Sequence, residues 1–297
     1  MSRVEKKFSE CLNCGARLGA SFSYCPQCGQ ANHDLNIPVR HFVEETAEGI
    51  LHFDVKSLRT IHTLMLKPGV VTSEFIAGKR VKYVAPMRFY LFISFLFFLL
   101  LSFSSSHEKD VSTDSQQTSF GITFHKINSR DLKGMKSSQL DSVLQSEGMD
   151  RSVFNRYVVR KLSRIGTEGQ EGFNHFLVKA ISYMMFALMP IFAMFVFVLY
   201  RKKVMYYFGT LVFSIHYHSF VFLLLSVTLA VDLIVDNSLT LVIPLVVCPV
   251  YLYLALRRMF DGTRLRTIGK TMVIGVFQFI SFILMFLVTM FISILIF

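Results

Sequence analysis

Apolar runs too long for a soluble domain constrain this chain more than any other feature. A bilayer hydrocarbon core of about 30 Å needs roughly twenty apolar residues in helical form. Five segments reach or approach that length: 89–103, 180–200, 208–231, 239–256 and 272–297. The first lengthens if Arg88 snorkels toward the interface and the serines that follow enter it. The second contains Pro190, which should kink it but which a membrane helix tolerates. The apolar excess, 53% of all residues, begins at Phe89, and the residues before it have ordinary soluble composition. The expected fold class is therefore an all-α membrane protein with about five transmembrane helices behind a small N-terminal head. The boundaries read as a metal ribbon over 1–36, cytoplasmic amphipathic helices over 37–87, the first span over 88–106, an extracytoplasmic insertion over 107–172, and spans two to five over 173–297.

The net charge of +11 would raise the question of nucleic acid in a soluble protein. Here the cations sit beside the apolar runs. Lys79, Arg80, Lys82 and Arg88 precede the first run and Arg201, Lys202 and Lys203 follow the second; Arg257, Arg258, Arg264, Arg266 and Lys270 follow the fourth. That placement sets topology, because Lys and Arg in short connections stay on the cytoplasmic side. The connection between spans three and four holds Asp232 and Asp236 with no Lys or Arg, so it belongs outside. Alternation then puts the ribbon inside, the 107–172 insertion outside and the C-terminus outside, as expected for a multi-pass protein of a cell inner membrane. Lys79, Arg80, Lys82 and Arg88 are also candidate contacts to anionic lipid headgroups. The N-terminal stretch has no signal-peptide pattern, so a cytoplasmic head with reduced thiols is expected.

The strongest motif is Cys11-Leu-Asn-Cys14-Gly15 followed by Cys25-Pro-Gln-Cys28-Gly29. Two residues between cysteines let both thiolates of a pair reach one ion from a tight turn, and the glycines give the backbone the freedom such a knuckle needs. Cys11, Cys14, Cys25 and Cys28 make a four-sulfur tetrahedral set that selects zinc or iron. The aromatic complement, Phe22 and Tyr24, is small for a rubredoxin-like iron site, so one structural Zn2+ is expected. Four protein ligands leave no position for water or substrate. His33 lies just beyond, but a complete cysteine set makes it unnecessary. Arg17 is the one clearly charged residue between Cys11 and His33, which argues against nucleic acid and for a protein contact or a folded cap on the membrane body.

Between ribbon and first span, Pro38 suits a first helical turn, with Val39, Phe42, Val43, Ile50 and Leu51 on one face. A second helix can start from Asp54, with Val55, Leu58, Ile61 and Met65 inward, and should stop before Lys67-Pro68-Gly69. A short third piece ends at Gly78. The insertion opens with a polar run; Ser138 and Asp141, then Asp150, can cap two short helices, the second striped by Val153, Phe154, Tyr157, Val158, Leu162 and Ile165. A small helical lid on the outer membrane surface is the expected reading, with a binding domain as the alternative.

Several elements together resemble a family of bacterial membrane proteins named only as a domain of unknown function. They are the paired Cys-x-x-Cys-Gly ribbon with Gln30 after it, Lys67-Pro68-Gly69 leading to Gly78-Lys79-Arg80 and Tyr83, then Pro86-x-Arg88-x-Tyr90, His216-x-His218, and Tyr251-x-Tyr253 with Arg257 and Arg258. The resemblance covers most of the chain outside the insertion. It implies a bacterial inner-membrane protein and carries no activity.

Within span three, Ser214, His216, Tyr217, His218 and Ser219 form a polar cluster that is costly in hydrocarbon unless it faces partners or a cavity. Residues two apart on a helix point about 200° apart, so His216 and His218 cannot chelate one ion together. Tyr251 and Tyr253 of span four are candidate partners, Gln278 and Ser281 of span five could join helices, and Cys248 reads as a small apolar filler. No nucleophile motif, phosphate loop or paired carboxylates accompany them, so no reaction is named. Three functions remain. The first is a scaffold or regulator whose ribbon docks a cytoplasmic protein; the second is a transporter or channel using the intramembrane histidines; the third is a membrane enzyme acting on lipid. Five spans without an inverted repeat favour the scaffold. Oligomerisation is compatible with all three.

Overall fold

The computed structural model describes residues 7–19, 21–32, 55–111, 170–202, 206–235 and 242–296. The expected helix after Pro38 and the two helices of the insertion fall outside these residues. Seven helices are described: α1 (Val55–Leu66), α2 (Val70–Ile76), α3 (Pro86–Val111), α4 (Gln170–Tyr200), α5 (Tyr207–Val235), α6 (Val242–Phe260) and α7 (Arg264–Ile296). The described residues contain no strand beyond two isolated antiparallel bridges in the ribbon, Glu10 with Arg17 and Tyr24 with Ala31. Five helices are long and apolar enough to cross a membrane, over Pro86–Ser104, Lys179–Tyr200, Tyr207–Leu233, Val242–Phe260 and Arg264–Ser293. The chain is a multi-pass, all-α membrane protein. Pro86 opens α3 at the first turn, where its missing N–H costs nothing, and Pro190 lies inside α4 as the run of apolar residues requires.

The chain divides into two compact units, one of Met1–His107 with Met189–Gln278, the other of Glu108–Leu188 with Phe279–Phe297. In the second, Phe282 and Phe286 stack one turn apart on α7. The first unit is organised around α5, whose membrane-length window is 78% buried, against 22% for α3 and 28% for α6. Aromatic rings fill its contacts, as the abundance of Phe would suggest. Phe220 stacks on Tyr251 of α6 with centroids 3.6 Å apart, Phe192 of α4 stacks on Tyr217 at 5.3 Å, and Phe222 meets Tyr90, Phe97 and Phe98 of α3. Offset and tilted aromatic pairs add to the burial of their area. Apolar side chains on α6 and α7, such as Leu245, Val250, Met272 and Val276, stay exposed, which suits helices whose solvent is lipid.

The helical pair α1 and α2 packs on α5 and α6. Its sharp connection passes through Gly69 at φ 78°, where a Cβ would lie 3.0 Å from the carbonyl oxygen of Ala255. The pair therefore needs glycine for conformation and for close approach alike. The face expected for α1 is corrected by the structure. Leu58 is 62% exposed and Ile61 and Met65 are half-buried, while Ser57, Thr60 and Leu64 are buried. The reason is hydrogen bonding rather than hydropathy. The Thr60 hydroxyl donates to the Lys56 carbonyl at 2.7 Å and accepts the Val84 N–H at 3.1 Å, so a polar side chain satisfies the backbone just ahead of α3.

Candidate metal centre and buried histidines

Each half of the ribbon is a tight knuckle. Gly15 N–H donates to the Cys11 carbonyl at 2.8 Å and Cys11 N–H to the Ala16 carbonyl at 2.8 Å; Gly29, Cys25 and Gln30 repeat the pattern at 2.9 and 2.8 Å. Gly15 and Gly29 take φ 76° and 73°, the left-handed conformation that the sequence pattern anticipates. The side chain of Asn32 joins the halves. Its carboxamide oxygen accepts the Phe8 N–H, and its NH2 donates to the Phe8 and Phe22 carbonyls. A core this small is held by polar ties rather than by apolar mass.

The ligating atoms of Cys11, Cys14, Cys25 and Cys28 all lie within 4.8 Å of one another, with Cys11 to Cys28 and Cys14 to Cys25 both at 3.6 Å. A tetrahedron with metal–sulfur bonds of about 2.3 Å has edges of about 3.8 Å, so these sulfurs fit one four-coordinate ion. At these separations, well beyond the S–S bond length of about 2.05 Å, the four cysteines are free thiols. Backbone N–H donation at Ala16 favours the Cys14 thiolate, but burial and the three neighbouring thiols push its pKa up to about 12. Burial also works against the Cys25 thiolate, yet N–H groups of Cys28 and Gln27 and the neighbouring thiols bring its pKa down to about 7. Four thiolates this close repel unless a cation lies between them.

The ribbon does not stand apart from the membrane-proximal helices. The Gln30 NH2 donates to the Gly78 carbonyl at 2.8 Å, and its carboxamide oxygen accepts the Arg80 N–H at 3.2 Å. Gln30 is buried in this contact. The adjoining cations are already engaged inside the chain. Lys79 and Lys82 lie 3.6 and 2.7 Å from the two oxygens of Glu74, Tyr83 donates to the same carboxylate, and Arg80 lies over the Phe75 ring at 5.4 Å. Burial raises the Glu74 pKa, but the bonds from Lys82 and Tyr83 and the charges of Lys82 and Lys79 outweigh it and hold the carboxyl below its ordinary value. The same bond from Glu74 raises that of Lys82. Arg88, on the first turn of α3, is half-buried.

The two histidines part as helical geometry requires. His216 meets α2: its Nδ1 is 2.9 Å from the Thr72 hydroxyl and its ring stands edge-on to Phe75. His218 meets its own helix and α7: its Nδ1 is 2.8 Å from the Ser214 carbonyl, and its Nε2 is 3.3 Å from the Gln278 amide nitrogen. A carbonyl can only accept, so Nδ1 carries the proton and Nε2 accepts from Gln278. Tyr251 does not bond to either histidine. Its hydroxyl donates to the Leu64 carbonyl of α1 at 2.9 Å and its ring packs on Phe220. Tyr253 is half-buried and projects away from Tyr251. The serines and threonines of α5 mostly return to backbone: Ser214 to Met189, Ser219 to Ile215, Ser226 to Phe222 and Thr228 to Leu224. Among the described residues, His216 Nε2 and Gln278 Oε1 are buried without a hydrogen-bond partner.

Sequence reasoning missed Thr72, Glu74, Asn32 and the docking role of Gln30. Gln278 is legible as a helix-joining residue, but its partner His218 is not. Comparison with known proteins falls on this same region. A family described as "Protein of unknown function (DUF3667)" matches residues 54–98, which hold α1, α2 with Thr72 and Glu74, the cationic turn and the start of α3. No curated protein and no solved structure matches the chain.

Proposed function

We propose that this is a scaffold or regulator of a bacterial inner membrane, in which a cytoplasmic zinc ribbon docks a protein partner. The observation that carries the reading is the closed set of four sulfurs within 4.8 Å. Such a set completes the coordination of one Zn2+, which would supply folding energy to the ribbon rather than Lewis-acid chemistry. Cys11, Cys14, Cys25 and Cys28 would hold the ion, and Asn32 orders the backbone that presents them. Phe22 and Tyr24 are 43% and 67% exposed on this domain, a pair of aromatic anchors suited to a protein surface. The bacterial setting follows the motif resemblance, and the orientation follows the cations that flank the spans.

The transporter reading draws on the unpartnered His216 Nε2 and Gln278 Oε1. Against it stands the engagement of Ser214, Ser219, Ser226 and Thr228 with backbone carbonyls, which is how polar side chains pack in a helix interior. The test uses the full chain with a photo-crosslinking amino acid at Tyr24 in intact cells, alongside metal analysis of the purified protein. One zinc per chain and one discrete protein adduct, lost in a membrane-inserted Cys25→Ser variant, are expected. Absence of zinc, or adducts unchanged when the ribbon loses its metal, overturns the reading.

A further inference from the structure

We infer that the ribbon is a metal-dependent clamp on its own chain: with the metal bound, Gln30 pins the turn Gly78–Arg80, and without it that turn and its cations are released. This rests on the zinc reading of the four cysteines and goes beyond it, because it assigns the ribbon an intramolecular target and a residue that couples the two.

The coupling is short and continuous. Gln30 follows Cys28 by two residues, and its own carbonyl accepts the Cys25 N–H that closes the second knuckle. Its side chain then makes both carboxamide bonds to one turn, donating to Gly78 and accepting from Arg80. Gly78, at φ 95°, closes α2 through its N–H to the Phe75 carbonyl, while Lys79 N–H bonds to the Glu74 carbonyl. The Gly78 carbonyl accepts both the Arg80 N–H at 2.9 Å, within the turn, and the Gln30 NH2 at 2.8 Å, so Gln30 braces a turn that also bonds to itself. A side chain can satisfy that carbonyl only if its backbone is held in place. In the ribbon, ordering of the second knuckle depends on its thiolates sharing an ion. Losing the ion would restore chain freedom to Gln30, and the two bonds would be made and broken against water.

The consequence falls on Lys79, Arg80 and Lys82, which the docked turn folds back onto Glu74 and the Phe75 ring. The family match begins at residue 54, outside the ribbon, yet covers the turn that the ribbon grips.

The test is limited trypsin digestion of the full chain in lipid nanodiscs, with cleavage rates after Lys79, Arg80 and Lys82 read by mass spectrometry. Bound zinc is measured on each sample. Stripping the metal with a chelator should raise cleavage at these three sites by about fivefold or more, as expected for losing the Gln30 bonds while the Arg80 N–H keeps the Gly78 carbonyl. Cleavage after Lys202, which follows α4 and makes no hydrogen bond to Gln30 or to the Gly78–Arg80 turn, should stay constant. Gln30→Ala should keep its zinc and show a comparable rise. The clamp is overturned if zinc-loaded Gln30→Ala cleaves like the parent chain, or if the stripped protein does. Zinc content of the parent chain reports separately on the metal reading, since Gln30→Ala tests the contact whatever ion is present.

Discussion

At the scale of single residues, the buried polar groups of α5 take their partners from distant parts of the chain, His216 from Thr72 and His218 from Gln278. His216 and His218 are visible as polar residues in an apolar run, but Thr72, which meets His216, is 144 residues away and looks like any helical threonine. Nothing local marks such a pair. Removing one side of it should be costly, because an imidazole nitrogen in a 2% exposed ring would lose its partner. Thr72→Val should lower stability by about 1–3 kcal/mol, and Thr72→Ser should recover most of that, measured by thermal unfolding in detergent. Glu74 gives a pH dependence whose sign is fixed. Its pKa is depressed in the folded chain, so its contribution is complete above its unfolded value of about 4.5 and disappears as pH falls through the lower folded value. The parent chain should therefore exceed Glu74→Gln in melting temperature at neutral pH, and the gap should close on acidification below about pH 4.5. Comparing the two chains at each pH removes the effect of acid on the cysteine ligands, which both share.

At the scale of elements, length was the readable signal. A run long enough to cross a bilayer leaves little doubt about helix, and all five expected spans coincide with helices that meet the length and composition requirement. Hydropathy was a poorer guide to the shorter α1. Its buried face carries Ser57 and Thr60 because the backbone before α3 needs an acceptor there, while Leu58 lies exposed. The Lys67-Pro68-Gly69 break was legible as a helix stop, but not the approach of α6 that makes glycine necessary at its third position. The glycines separate these two requirements. At Gly15 a Cβ would meet nothing within 4 Å, so Gly15→Ala should carry only the left-handed backbone cost of about 1–2 kcal/mol. At Gly69 the same change also drives a Cβ to 3.0 Å from one backbone atom of Ala255 and 3.2 Å from another, neither of which can swing aside. Gly69→Ala should lower the melting temperature of the membrane body clearly more than Gly15→Ala, and equal shifts would show that α6 yields at this contact.

At the scale of the whole molecule, charge, metal chemistry and contacts constrain one another. The net charge of +11 lies mostly in connections beside the spans. Two of these cations reach backbone carbonyls in the first unit: Arg258 donates to Pro68 and Lys270 to Leu199. The end of α6 is thereby tied to the α1–α2 connection, and the start of α7 to the end of α4. Through Gln30 the ribbon is tied to the turn after α2. Free thiols are kept reduced in the cytosol and are oxidised to disulfides outside it. Cations in short connections favour that same reducing side. A ribbon facing outward would contradict both tendencies at once, which is why the orientation can be tested without reference to any activity. Alkaline phosphatase, which folds only outside the inner membrane, should be active when fused after Ser115 or Asp236 and inactive after Lys202 or Gly262. A green fluorescent reporter at the same four positions should give the opposite pattern. Phosphatase activity after Lys202 would place three cations, Arg201 to Lys203, on the outer side, and with them the ribbon in a compartment where its four cysteines would pair as disulfides instead of holding an ion.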